Sequence, residues 1–359
     1  MFVTSLSSET TPSKQHFDTL DGLRGIAAIA VVIFHFMEIV HPDPTENFIG
    51  HGFMAVDFFF CLSGFVMAYA YDDRLLKMGL PTFFKSRLIR LHPLVILGSV
   101  LGLLAFLFDP FGGNPQVYSA GRMLLIFICS MLMIPFPVME DRFFNLFGLN
   151  APSWSLFWEY VANIVFALVL VRLSRQILLI LMVLAGLWLA YVASSAGSLL
   201  GGWAGSNFWD GAARISYSFL AGMLIFRYKL IIRNGFGFLG MTLLLVAAFL
   251  MPVSWGWQAE LAVVIIYFPL IVALGAGATT GSGFKNVCKF SADISYPLYM
   301  THYAVMFSFF NFYATYKPEG VQLICIIIAG LTLLILFAYL VMKYYDLPLR
   351  RYLMAKLRK

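Results

Sequence analysis

Long apolar runs, broken at intervals by short clusters of charge, proline and glycine, dominate the pattern along this 359-residue chain. A bilayer-crossing helix needs about 20 mainly apolar residues. Eleven stretches come near that length: 22–40, 52–71, 92–108, 120–137, 152–171, 176–195, 211–226, 235–251, 260–278, 294–313 and 321–342. None shows the period-two alternation of a half-buried strand, so the pattern predicts an all-α protein that crosses a membrane many times.

The positive charges orient these stretches, because Lys and Arg concentrate in cytoplasmic loops. Arg24 opens the first stretch, and Lys343, Arg350, Arg351, Lys356, Arg358 and Lys359 follow the last, which places both termini in the cytoplasm. Arg74, Lys77, Lys85, Arg87 and Arg90 mark a further cytoplasmic segment. Arg172 with Arg175, Arg227 with Lys229 and Arg233, and Lys285 with Lys289 mark three more. Two cytoplasmic ends require an even number of crossings, so one of the eleven does not span. The stretch 120–137 is the expected re-entrant or surface-lying piece. It lies between the turn-rich Asp109 to Pro115 and the pair Pro135 and Pro137, and it opens with Arg122. Ten spans are expected.

Composition agrees. Hydrophobic residues make up 61% and charged residues 12%, whereas a soluble domain carries about 25% charged residues. The net charge of +6 fits cationic loops, so no nucleic acid is expected as a partner. Cys61, Cys129, Cys288 and Cys325 lie in apolar runs without a Cys-x-x-Cys spacing, so neither a disulfide nor a metal is predicted. The first 17 residues are polar and lack a basic region ahead of an apolar core, so they read as a short cytoplasmic tail and not a signal peptide. Residues 18–352 form one membrane domain, and 353–359 a basic cytoplasmic tail, with no soluble domain appended. Trp203, Trp209, Trp255 and Trp257 fall at the predicted outer boundary, where aromatic residues anchor helices or face a glycan.

An ionisable side chain inside a span costs about 2.5 to 3.5 kcal/mol on insertion scales. Five stand out: His35, Asp57, Glu159, Arg214 and His302. With a helical rise of about 1.5 Å per residue, His35, Asp57 and Glu159 converge on one depth in the outer half. A neutral imidazole beside a carboxylate is the minimum apparatus for taking a proton from a hydroxyl. The structural alternative is that the histidine packs against a helix carbonyl and the acids tie helices together. His302 falls nearer the cytoplasmic face by the same arithmetic, where it either lines a donor path or simply packs.

Arg24, Arg87 and Arg90 sit at the opposite face. Arg87 and Arg90 share a helix face at i and i+3, and Phe83, Phe84, Leu88 and Ile89 interleave with the basic positions, which suits a surface-lying helix start. The positive-inside rule accounts for each arginine singly; as a group they suit a phosphate, which guanidinium forks bind bidentately. Arg24 and His35 are 11 residues apart, about 16 Å along a helix, the reach of a pantetheine arm.

Several segments resemble the acyltransferase 3 family of membrane acyltransferases. Leu20 to Ala28, closing on His35, is similar to its first-helix signature with an Arg-ten-residues-His spacing, and Val56 to Phe65 to its second-helix motif. Arg87-Leu88-Ile89-Arg90-Leu91-His92-Pro93 resembles its Arg-x-x-Arg motif, and Pro152 to Glu159 its Trp-Ser-Leu-x-x-Glu element. Arg214 with Phe219 to Met223, and Ser295 to His302, match two later elements. Asp346-Leu347-Pro348-Leu349-Arg350-Arg351 carries Asp where the family more often has Glu, and Phe157 and Trp158 replace small or acidic residues before the motif Glu. The likeness runs from about residue 17 to 352.

The resemblance implies about ten transmembrane helices in a bacterial inner membrane and transfer of an acyl group. The donor is usually cytoplasmic acetyl-CoA, and the acceptor a hydroxyl of a surface polysaccharide, exopolysaccharide or lipid-linked glycan precursor on the far side. Under it, Arg24, Arg87, Arg90 and His302 are expected on the donor side. His35 is the base or transient acyl carrier, with Asp57 or Glu159 orienting it, and Ser63, Trp154, Ser155, Arg214 and Tyr299 line the channel or acceptor pocket. The alternative from another class is a proton-coupled transporter or flippase of an anionic or glycan-linked solute, against which no inverted repeat is visible.

Overall fold

The structure is a computed structural model that describes residues 16–112 and 115–357. Most of the expected N-terminal tail, at 1–15, lies outside the described residues, as do 358 and 359. Among the described residues the chain is helical throughout and forms no strand, only two isolated bridges. The helices are α1 (Asp18–Val40), α2 (Ala55–Tyr71), α3 (Leu75–Met78), α4 (Leu80–Leu107), α5 (Ala120–Met131), α6 (Ser153–Leu168) and α7 (Arg175–Ala196). After them come α8 (Phe208–Arg227), α9 (Gly237–Phe249), α10 (Gly256–Ala262), α11 (Phe268–Gly277), α12 (Lys285–Tyr316), α13 (Gly320–Val341) and α14 (Leu347–Leu357). A π-helical turn at Val263–Tyr267 joins α10 to α11, and another at Met342–Asp346 joins α13 to α14.

Local signals set the boundaries. Ser119 and Ser174 cap α5 and α7 by accepting from the backbone N–H groups of Arg122 and Ile177. Gly197, with φ +73°, ends α7. Seven helical stretches are long and apolar enough to cross a membrane among the described residues. The lipid-facing character is plain on α7 and α13, where Leu187, Tyr191, Val321, Ile328 and Leu333 are all exposed. All eleven apolar stretches of the sequence appear as helix. Two of these helices are short against a hydrocarbon core of about 30 Å: α5, in the stretch expected not to span, has 12 residues, and α9 has 13, about 18 and 20 Å.

Two sets of loops, one at each end of the bundle, are bonded among themselves. At one end Arg227 donates to both carboxylate oxygens of Asp72 and to the carbonyls of Leu170 and Leu173, and the Asn234 backbone pairs with that of Gly277. At the other end Leu146 donates to the Trp203 carbonyl, Asn311 to Asp109, and His51 bonds the Met251 carbonyl. These are the groupings that the loop charges predict, so successive long helices alternate in direction.

Close approach between helices rests on glycine. Gly64 of α2 lies on the Phe219 carbonyl of α8, and Gly222 of α8 on the Cys61 carbonyl of α2, where any Cβ would overlap backbone. Replacing Gly222 with Val is therefore expected to lower stability by about 1–3 kcal/mol or more. Gly121→Ala on α5, where an added Cβ meets nothing within 4 Å, is expected to be near neutral. Thermal unfolding in detergent followed by tryptophan fluorescence checks both.

Candidate functional site

A cavity of about 430 Å³ opens at the end of the bundle that carries Arg24. Its walls come from α1, α2, α4, α6, α12 and α14, and they include Arg24, Arg87, Arg90, Ser63, Ser155, Glu159 and Tyr299 from the residues that the sequence singles out. Arg350 also lines it, although the sequence marks it only as part of the closing motif and of the C-terminal positive charge. Pro93 lies within the continuous helix α4, and the carbonyls of Leu91 and Pro93 accept from the Tyr296 and Tyr345 hydroxyls at 2.6 and 3.0 Å, tying α4 to α12 and to the turn before α14.

The charges in this cavity are partly paired. Arg24 donates to Asp21 at 2.5 Å, Arg87 to Glu159 at 3.0 Å, and Arg350 meets Asp346 at 2.8 Å. Ser63 donates to Glu159 at 3.2 Å, and Ser155 and Tyr299 share a hydrogen bond of 2.7 Å. Arg90 has no ion-pair partner among the described residues, and the Arg87 Nε–H is a buried donor without an acceptor. Two unfilled cationic donors on one cavity wall suit an anion.

His35 lies beyond this cavity. Its Nδ1 is 2.5 Å from Oε1 of Glu38, one helical turn on, and its ring stacks on that of His302 with centroids 5.3 Å apart. Tyr303 packs edge-on against both histidines. Tyr299, which lines the cavity, is 6.0 Å from the His302 ring, so the histidine pair begins where the cavity wall ends. His302 is fully buried, its Nδ1 bonds the Leu298 carbonyl, and its Nε2 has no partner among the described residues.

Three expectations need correction. Asp57 does not meet His35. Instead it forms a two-pronged pair with Arg214, at 3.0 and 2.6 Å, while Arg214 also donates to the carbonyls of Gly201 and Phe53 and faces the Trp154 ring. Asp57, Arg214 and Trp154 thus stand outside the cavity as a buried tie between α2, α8 and the loop before it. Glu159 does not meet His35 either. The segment Leu146–Ala151 is buried, with Leu149 and Asn150 against Gly102 and Gly98 of α4, so α6 starts deep in the bundle and Glu159 descends to Arg87. His302, expected nearer the cytoplasmic face, lies level with His35. Helix α12 begins nine residues before the apolar stretch does, and each histidine stands seventeen residues into its helix.

The carboxylate that does reach His35 is Glu38, which sits near the end of its stretch, where a charge looks like ordinary solvated boundary. The i, i+3 spacing from His35 was the available signal.

An all-helical polytopic bundle with a polar cavity at one end and buried titratable groups at its base defines an integral membrane protein that works on a polar ligand. The acyltransferase domain family profile matches residues 17–343, and the chain belongs to that family, acyltransferase 3. It is 35% identical over 171 residues to protein 2 in the picA locus of Rhizobium radiobacter, covering 45% of this chain and 84% of that one. It is 30% identical over 174 residues to the acyltransferase MdmB of Streptomyces mycarofaciens, covering 46% and 42% of the two chains. A third match, to the O-acetyltransferase OatA of Staphylococcus aureus, is 33% identical over 87 residues, 23% of this chain and 13% of that one. The matches thus span less than half the length of these last two relatives. No solved structure matches. The protein is a membrane acyltransferase.

Breaking the Asp57–Arg214 pair from one side leaves a buried charge uncompensated. Arg214→Met is expected to cost about 3–5 kcal/mol of stability, and Arg214→Met with Asp57→Leu distinctly less. Denaturation of the single and double variants in detergent checks the order.

Proposed function

We propose that this acyltransferase takes an acetyl group from cytoplasmic acetyl-CoA. The acceptor is a hydroxyl of a surface polysaccharide, exopolysaccharide or lipid-linked glycan precursor on the outer side of a bacterial inner membrane, both termini being cytoplasmic. The observation that carries this reading is one arginine-lined cavity that ends, at Tyr299, on a histidine pair braced by a carboxylate.

Arg90 and the unfilled Nε–H of Arg87 are the donors that hold the phosphates of coenzyme A, with Arg24 and Arg350 adding positive potential at the mouth. Bound there, acetyl-CoA supplies an activated thioester. Ser63, Ser155 and Tyr299 give the rest of the channel a polar lining. An ionised Glu38 accepts from the His35 Nδ1–H, fixing the tautomer in which Nε2 carries the lone pair and stabilising the imidazolium once it forms. The stacked His302 holds the ring plane of His35.

Two routes use this arrangement. In one, Nε2 of His35 takes the proton of the acceptor hydroxyl as its oxygen bonds to the acyl carbon and the carbon–sulfur bond breaks. In the other, Nε2 bonds to the acyl carbon as the carbon–sulfur bond breaks and the coenzyme A thiolate leaves, and the acceptor oxygen then bonds to that carbon as the Nε2–carbon bond breaks, its proton passing to the freed Nε2. Rapid mixing with labelled acetyl-CoA and no acceptor separates them, since stoichiometric labelling that disappears in His35→Gln belongs to the second route alone.

Calorimetry of acetyl-CoA binding tests the donor assignment. Arg90→Ala is expected to weaken binding at least tenfold, while His35→Ala binds as wild type and loses transfer. Glu38→Gln is expected to bind acetyl-CoA normally and to lower kcat by about 100-fold or more. Folded wild-type protein that binds no acetyl-CoA would overturn the donor assignment.

A further inference from the structure

A second cavity, of about 440 Å³, opens beyond the histidine pair, between α5, the turn Glu140–Arg142 and the far part of α12. Its walls include Tyr118, Arg122, Asp141, Arg142, Phe307 and Phe310. Along α12, Tyr299 lines the first cavity, Phe307 the second, and His302 falls between them. The two wall positions are eight residues apart, about 12 Å along the axis. Tyr303 is the partition: its ring centroid is 5.7 Å from His35 on one side and 5.0 Å from Phe307 on the other.

Arg142 gives this cavity its chemistry. It is 7% exposed, and its guanidinium lies 3.3 Å above the Phe307 ring centre. Among the described residues its one ion pair is with the Asp141 carboxylate, at 3.9 Å from Nε, too long for a hydrogen bond. A guanidinium carries five N–H donors, and those of Arg142 open onto the cavity with no hydrogen-bond partner among the described residues. Burial draws Arg142 down to about 10, so it remains a cation at neutral pH. Asp141, itself exposed, accepts from the Tyr118 hydroxyl at 2.5 Å and has lone pairs to spare.

The wall carries two guanidinium groups, Arg122 and Arg142, and two carboxylates, Glu140 and Asp141. An anionic ligand that satisfied Arg142 would meet both carboxylates, and a cationic one both arginines. A neutral ring with neighbouring hydroxyls meets neither difficulty, because each hydroxyl both donates and accepts. Phe310, 40% exposed, offers an apolar face for the ring's C–H side. We infer that this cavity is an acceptor subsite for a neutral sugar unit, with Arg142 donating to one of its oxygens and Asp141 accepting from the adjacent hydroxyl. Because Tyr303 stands between this cavity and His35, the bound unit is a neighbour of the one that carries the reacting hydroxyl. The inference rests on the acyl-transfer reading above and adds the acceptor's chemistry to it.

Saturation-transfer NMR on the full chain in nanodiscs tests this with maltotriose, cellotriose and chitotriose as neutral probes and trigalacturonate as the charged one. At least one neutral trisaccharide is expected to bind saturably and more tightly than trigalacturonate. Asp141→Asn and Arg142→Gln are expected to weaken it at least tenfold, with acetyl-CoA binding unchanged. If Arg142→Gln also loses acetyl-CoA binding, its fold has failed, and Phe310→Ala at the cavity rim then decides, with an expected loss of at least threefold. No binding of any neutral probe, tighter binding of trigalacturonate, or affinity untouched by the substitutions would each overturn the subsite. Acetyl-CoA titration of the same wild-type sample reports separately on the donor assignment, which can fail while trisaccharide binding stands.

Discussion

The close parallel packing of α1 on α12 is the constraint on which the rest of the molecule depends. At Gly25 the two backbones approach so nearly that an added Cβ would overlap Ser291, and Ser291 seals the contact by donating to the Gly22 carbonyl at 2.9 Å. Without a hydrophobic drive between helices in lipid, such small-residue contacts and short polar bonds are what fix one helix against another. The register they set carries through to the far end, so that His35 and His302, from opposite ends of the sequence, stack ring on ring. Both cavities share α12 as a wall, and the mouth of the first includes Asp21 and Arg24 of α1. A slip of one residue between these helices would separate the histidines and misalign the cavities together.

Charge within the bundle is held in two ways. Asp57 with Arg214 and Asp72 with Arg227 are closed: each guanidinium makes a two-pronged pair and spends further donors on backbone carbonyls at loop ends. Such groups have nothing left for a ligand, and their removal reads out as stability. Arg87, Arg90 and Arg142 are open: each lines a cavity, the Arg87 Nε–H has no acceptor, and Arg90 has no ion-pair partner and Arg142 none within hydrogen-bond distance among the described residues. The distinction is one of satisfaction and not of depth, since Arg87, Arg142 and Arg214 are all buried.

The all-helical, membrane-crossing architecture was legible in the sequence because the bilayer makes few demands and makes them loudly, above all long apolar runs bounded by charge. The arginine-lined cavity was legible too, since Arg24, Arg87, Arg90, Ser63, Ser155, Glu159 and Tyr299 all line it. Relative depth was not. Counting from the first apolar residue places α12 nine residues too late, because the polar turn of helix from Lys285 has no hydropathy signal, and it places α6 at the outer face although Leu146–Ala151 carries its start inward. Those two errors account for the misplacing of His302 and Glu159. Pairing was hidden for a different reason: Asp57 finds Arg214 across 157 positions of sequence, and nothing along the chain distinguishes that partner from His35.

The relation between the two cavities argues for group transfer over solute transport. A transporter needs one site that faces each side in turn, and its buried relay serves the same solute from both directions. Here the polar groups are of two kinds on either side of the histidines. Both walls balance arginines against carboxylates, but in the first Asp21, Glu159 and Asp346 are each taken up by an arginine, which leaves Arg90 and the Arg87 Nε–H for a strong anion. The second sets Arg142 beside aromatic faces and the carboxylates of Glu140 and Asp141, neither of which is hydrogen-bonded to an arginine among the described residues. A single solute matching both would have to be an anion in one and neutral in the other. Two ligands that meet at His35 do not, and a group that passes between them needs only to cross the width of the Tyr299 to Tyr303 turn of α12. The carboxylate of Glu38 approaches His35 within α1 itself, so the histidine and its carboxylate are fixed by one turn of helix while the cavities on either side are free to differ.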